Sequence, residues 1–266
     1  MKHALAIIIC FFSVQLWCQN FQGVATYKTK RKIDIKMDST QIASDMQEKM
    51  MEMLKKQFEK TYLLTFNKEE SIYKEDEALS SPQPGSSSGI MVSVSGGSDL
   101  LYKNTKQQRF TNQNEVMGKV FLIKDSLNTI NWKLEKETKN IGEYTCFKAT
   151  TTRTDTMQLN GEEKETKEVT ITAWYTPQIP VNNGPSMYHG LPGLILEAND
   201  GSEVIVCSKI VLNPDDKTTI SEPSKGKEVS QKEFDIIMEK KMKEMEEQFS
   251  SSRNSDGNTI QIRIGG

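Results

Sequence analysis

The sequence predicts an α+β fold: a single curved antiparallel β-sheet, half-barrel-like, with amphipathic helices packed on one face. Three observations predict it. Short runs of β-branched and aromatic residues alternate with polar ones along most of the chain, which is the period of a strand with one wet face. Two stretches, one near each end, switch to apolar residues at three- and four-residue steps. The strands come in series and the helices stand apart from them, which argues for an antiparallel sheet. A long twisted sheet curls, and the two helices are the segments able to cover its concave face.

Taken in order, Met1-Lys2-His3 followed by the apolar Ala4–Trp17 reads as a signal peptide over residues 1–18. The apolar run is short for a membrane span, which needs about 20 residues. Lipidation at Cys10 or Cys18 fits poorly, because Ile8-Ile9 and Leu16-Trp17 precede them. Residues 19–249 form one domain. Gly23–Lys30 alternates as a first strand. Asp38-Ser39-Thr40 starts a helix whose stripe is Ile42, Met46, Met50, Met53, Leu54 and Phe58. Tyr62–Phe66 and Ser71–Lys74 are the next strands. Residues 80–99, rich in serine, glycine and proline, form a flexible insertion.

Strand character resumes at Leu100–Lys103, Gln108–Thr111, Lys119–Ile123, Ile130–Leu134 and Ile141–Ala149. Asp155–Lys167 reads as a polar loop. Val169–Tyr175 is a strong strand. Gly190-Leu191-Pro192-Gly193 is a tight, preset turn that feeds the buried strand Leu194-Ile195-Leu196. Asn199-Asp200-Gly201 returns it as a hairpin through Glu203–Cys207, prolonged by Lys209–Leu212. Ser230 with Glu233 forms a capping box for a second helix, with Phe234, Ile237, Met238, Met242 and Met245 on its stripe. Residues 250–266 are a polar linker whose Thr259–Ile264 reads as an edge strand or a frayed end.

The bulk numbers exclude more than they assign. A net charge of −2 and no basic clustering exclude nucleic acid as a partner. No phosphate loop, dinucleotide fingerprint or nucleophile elbow is present, and no cofactor is expected. His189 is the only histidine left once the leader is removed, and it reads as a solvent-facing loop residue rather than a catalytic one. Cys146 and Cys207 are the cysteines left in the mature chain, an even count that suggests a disulfide outside the cytosol, with two buried thiols as the alternative. The paired methionines suit Cu(I) thioether binding less well than they suit a core or an adaptable ligand-lining surface, so no metal is expected.

Gly190-Leu191-Pro192-Gly193-Leu194-Ile195 is, letter for letter, the motif of the GLPGLI family, exported proteins of Gram-negative bacteria without an established activity. Ala173-Trp174-Tyr175-Thr176-Pro177 and Ile141–Ala149 resemble that family too. The resemblance implies the periplasm or the outer-membrane periphery. It also implies Asp-Ser/Thr glycosylation acceptors at Ser39, Ser126 and Thr156, although such pairs are equally ordinary caps and turns. The strand, helix, meander and hairpin order is more distantly similar to the half-open barrels of periplasmic lipoprotein carriers. Two functions follow. The first is a non-enzymatic protein that holds an apolar or amphipathic, lipid-like ligand, or a partner segment, between sheet and helices. Met46, Met50, Met53, Trp174, Met238 and Met242 would line that site. The second, implied by the company this family keeps, is an accessory to a TonB-dependent outer-membrane transporter or another envelope protein, with copper handling as its chemistry.

Overall fold

The structure is a computed structural model that describes residues 21–32, 59–76, 99–158, 164–215 and 219–252. The leader, the first expected helix with Ser39, Met46, Met50 and Met53, most of the serine-rich insertion and the C-terminal tail lie outside the described residues.

Twelve strands form one sheet. In chain order they are β1 (Gln22–Arg31), β2 (Lys60–Asn67), β3 (Glu70–Glu75), β4 (Leu100–Asn104), β5 (Arg109–Val116) and β6 (Lys119–Ser126). Then come β7 (Lys133–Ile141), β8 (Tyr144–Gln158), β9 (Lys164–Thr176), β10 (Leu194–Asn199), β11 (Glu203–Leu212) and β12 (Lys227–Val229). Their lateral order is β12-β6-β5-β4-β3-β2-β1-β11-β10-β9-β8-β7. Every ladder is antiparallel except β12 on β6, which is parallel, so the sheet is mixed. One helix, α1 (Gln231–Ser252), occurs among the described residues.

This overturns the expected architecture of a purely antiparallel curved sheet roofed by helices. Phe234 at the start of α1 packs edge-on against Phe121 of β6, and Ile237 and Met238 follow it onto the core. Beyond Met238 the stripe of the helix faces solvent: Met242 is 66% exposed and Met245 40%. Among the described residues, the irregular corner between β9 and β10 covers the apolar face. Ile179 and Val181 of that corner are buried with Tyr27, Leu64, Phe66 and Leu194 in the main core. A second core lies on the opposite face, where Leu191 packs with Ala149, Ala173, Tyr175, Ile195 and Ala198. The unbroken run Leu194-Ile195-Leu196 is thus explained, because β10 is buried on both faces and needs no polar alternation.

Two boundaries and one expected bridge also differ from expectation. Residues 127–132 are irregular rather than strand, since Trp132 turns away to donate its Nε1–H to the His189 carbonyl (2.8 Å). The expected polar loop at Asp155–Lys167 is mostly strand: β8 runs to Gln158 and β9 starts at Lys164. Cys146 and Cys207 are free, buried thiols, and the suggested bridge is not formed. Their strands β8 and β11 are separated by β9 and β10. Three ladder spacings amount to about 14 Å along the sheet, whereas bridged Cα atoms lie within about 7 Å.

Candidate functional site

The corner that covers the sheet is also one wall of a cleft. Its shape begins at Gly193, where an added Cβ would stand 2.2 Å from the Thr176 carbonyl oxygen, so only glycine lets the chain pass there. The Leu194 N–H then donates to Ile179 O (2.9 Å) and the Ile195 N–H to Asn183 O (3.0 Å), which fastens the corner to β10. The Tyr27 hydroxyl, buried in β1, donates to Ile195 O (2.7 Å) from across the sheet.

A buried loop must satisfy its own carbonyls, and here β3 and β4 do it. Ser71 and Lys103 are register partners on these strands. The Ser71 hydroxyl donates to Asn183 Oδ1 (3.2 Å). The Lys103 ammonium, 0% exposed, donates to three carbonyls: Gly184 (2.7 Å), Ser186 (2.6 Å) and Tyr188 (3.2 Å). Three N–H groups meet three acceptors, and Ser186 is held at φ 50°, a left-handed conformation unusual for serine. Burial pushes the Lys103 pKa down to about 7, while the three carbonyl dipoles favour the charged form. Lys103 was legible only as a strand residue. The signal was its place two residues after Leu101, on the apolar face of a central strand.

His189 is not a solvent-facing residue, since it is 5% exposed. Its Nδ1 lies 2.9 Å from the Met187 carbonyl and so carries the proton. Burial holds its pKa below the usual value, the bond to Met187 opposes that, and nearby Lys103 lowers it further. The imidazole is therefore neutral near pH 7. No described residue hydrogen-bonds its Nε2, which is left as an acceptor.

Met187, Tyr188 and His189 form one wall of a cleft of about 650 Å³. The opposite walls are Thr150–Arg153 of β8 and Thr170 and Ile171 of β9, with Asn128–Asn131 along the rim. A shallower pocket of about 460 Å³ continues past Trp132 to Gly190, Leu191 and Pro192. The surface of the larger cleft is mainly apolar, with Ile130, Ile171 and Met187 among its lining, while threonines and asparagines add hydroxyl and amide groups and the charge of Arg153 is already answered. Arg153 holds Asp155 through two contacts (2.6 and 3.0 Å) and lies 3.5 Å from Asp200.

The expected ligand liners do not converge here. Trp174 lies against the main core, with the Lys139 ammonium 4.4 Å from its ring centroid. Met238 packs half-buried on the same core, and Met242 is exposed. None of the three lines either cleft. Gly190, Leu191 and Pro192 do line the smaller one, so the corner motif reaches the candidate site. Of the expected acceptors, Ser126 is exposed at the end of β6 and Thr156 lies in β8. Asp125 Oδ1 accepts the Ser126 N–H (2.8 Å), so the pair serves as an ordinary strand-end turn. Among the described residues no group of three or more His, Cys, Asp or Glu side chains is arranged to hold a metal. No helix there is long and apolar enough to cross a membrane, which leaves membrane-spanning strands unaddressed.

Comparison with known proteins finds a family model that matches part of the chain and two distant solved structures. A family described as a protein of unknown function (Porph_ging) matches residues 132–197, the stretch from Trp132 through the corner into β10. No curated protein matches. Two solved structures, described as PNGF-II in C2 and in P21 space groups, share 15% identity with this chain at TM-scores of 0.48 and 0.47. The alignments cover 81% and 82% of this chain and 32% of each of those chains, so this chain spans about a third of their length.

Proposed function

We propose that this is an exported, non-enzymatic binding protein whose ligand or partner segment occupies the cleft between the corner and the β8–β9 strands. The observation that carries the reading is the cost of building that wall. A fully buried lysine is committed to three loop carbonyls, and the loop it holds lines the cleft with Met187, Tyr188 and His189. Burying an ammonium without a carboxylate is expensive, and a perturbed group beside a cleft marks a candidate site. The lining fits a neutral, amphipathic guest that offers hydrogen-bond donors to His189 and the threonines and apolar surface to Ile171 and Met187. Export rests on the leader reading of residues 1–18. The alternative, an accessory to an outer-membrane transporter, shares this location and draws no particular support from the geometry.

A neutral fragment library screened by NMR tests the proposal. Shifts are expected to cluster on Thr150–Arg153, Thr170 and Met187–His189. They should vanish in Thr129→Trp, which fills the cleft from an exposed rim position. Shifts scattered over the surface, or unchanged in that variant, would sink the reading.

A further inference from the structure

The cleft opens where one strand abandons another. β7 pairs with β8 from Ile141↔Tyr144 back to Lys133↔Thr150, and there the chain peels away through Trp132. β8 continues to Gln158, paired on its other side with β9. From Thr151 to Gln158 the β7-side edge of β8 therefore has no partner strand among the described residues. Alternate residues of such an edge aim both N–H and C=O outward, a ready template for another strand.

Proteins usually blunt such edges with charge or irregularity, and this one does so elsewhere. β7, the outermost strand, carries Lys133, Lys136 and Lys139 and loses register between Leu134 and Thr138. The free run of β9 opens with Lys164, Glu165, Lys167 and Glu168. The bare stretch of β8 begins Thr151-Thr152-Arg153-Thr154, contains no proline, and has its one cation bound by Asp155. Across the cleft, neither Asn128 nor Thr129 makes a backbone–backbone hydrogen bond to a described residue. A guest between these walls meets unsatisfied main chain on both sides. Threonine is at home beside a β-strand.

We propose that the cleft's ligand is an extended polypeptide segment that adds as a strand to the Thr151–Gln158 edge of β8, in the line β7 vacates. This rests on the cleft being the binding site and names its ligand class. Main-chain hydrogen bonds supply affinity, and the side chain beside Thr151 enters the cleft towards Ile171 and His189, which selects an apolar or hydroxyl-bearing residue there.

The probe is a peptide of alternating threonine and valine with one lysine at each end for solubility. Its twin carries N-methyl groups on alternate residues, which leaves the side chains in place and removes the donors along one edge. Saturable binding of the first peptide is expected, with slowed amide exchange along Thr151–Met157. Binding should be lost with the N-methylated twin and with Thr129→Trp. Equal binding of both peptides, or peptide binding without protection of β8, overturns strand addition while leaving the cleft reading intact. No binding of either peptide, with fragments still clustering in the cleft, overturns it in the same way. Failure of fragments and peptides together removes both.

Discussion

Without the Lys103 ammonium, the carbonyls of Gly184, Ser186 and Tyr188 would stay buried with no donor. Lys103→Met should therefore destabilise the protein by about 3 kcal/mol, in the range expected when buried polar partners of a charged group are orphaned. The effect has a pH signature. Burial lowers the Lys103 pKa to about 7, against about 10.4 in an unfolded chain. Between those values the unfolded chain keeps a proton that the folded protein has released. The stability owed to Lys103 then rises with pH from about 7 to about 10. Denaturant midpoints of wild type and Lys103→Met, compared across that window, should diverge in favour of wild type as pH increases, and parallel curves would contradict the assignment. The sequence placed this residue on the same face of its strand as Leu101 but named no acceptor for it. Its acceptors are main-chain oxygens 81 to 85 residues downstream, and carbonyls leave no mark in a pattern of side chains.

Elements were legible wherever one physical rule acted alone. The strands from β1 to β6 were found because their residues alternate over a half-buried surface. The start of α1 was found because its cap is local: the Ser230 N–H donates to Glu233 Oε2 (2.8 Å) and the Glu233 N–H to Ser230 Oγ (3.3 Å). Ser230→Ala should lower stability by about 1 kcal/mol, a change small enough to require matched urea melts. The same cap could not reveal where the helix would lie. An amphipathic stripe says that a face can be buried and leaves the burying surface unspecified. Here Phe234, Ile237 and Met238 found β6 and the core, and the later methionines did not. The outer half of β8 and β9 escaped notice for the opposite reason. With both faces of the two-stranded extension wet, threonine and charge occupy every register, and the pattern is that of a loop.

At the scale of the whole molecule, the expected fold class is overturned, and only its run of sequential antiparallel strands was legible. The meander of antiparallel strands was present in the pattern, while the parallel β12 is too short to carry any periodicity. The covering of the sheet depended on which segment reached it, and among the described residues an irregular corner with Ile179 and Val181 takes the place that α1 leaves beyond its first turns. Cysteine parity misled because a count ignores distance. With β9 and β10 lying between them, Cys146 and Cys207 should be alkylated together on denaturation without reductant. The melting temperature should be the same with or without dithiothreitol, and a downward shift on reduction would show a bridge that the structure does not contain.

The pairing of β1 with β11, which sets Gly23 opposite Leu212, has a kinetic consequence. A chain that emerges amino end first offers β1 long before its neighbour on that side exists, and the loop to be closed spans most of the polypeptide. Loop closure on that scale is slow, and topologies dominated by distant partners fold late. The β1–β11 ladder can therefore close only once the last third of the chain has been made, whereas the hairpins from β1 to β6 can pair as they emerge.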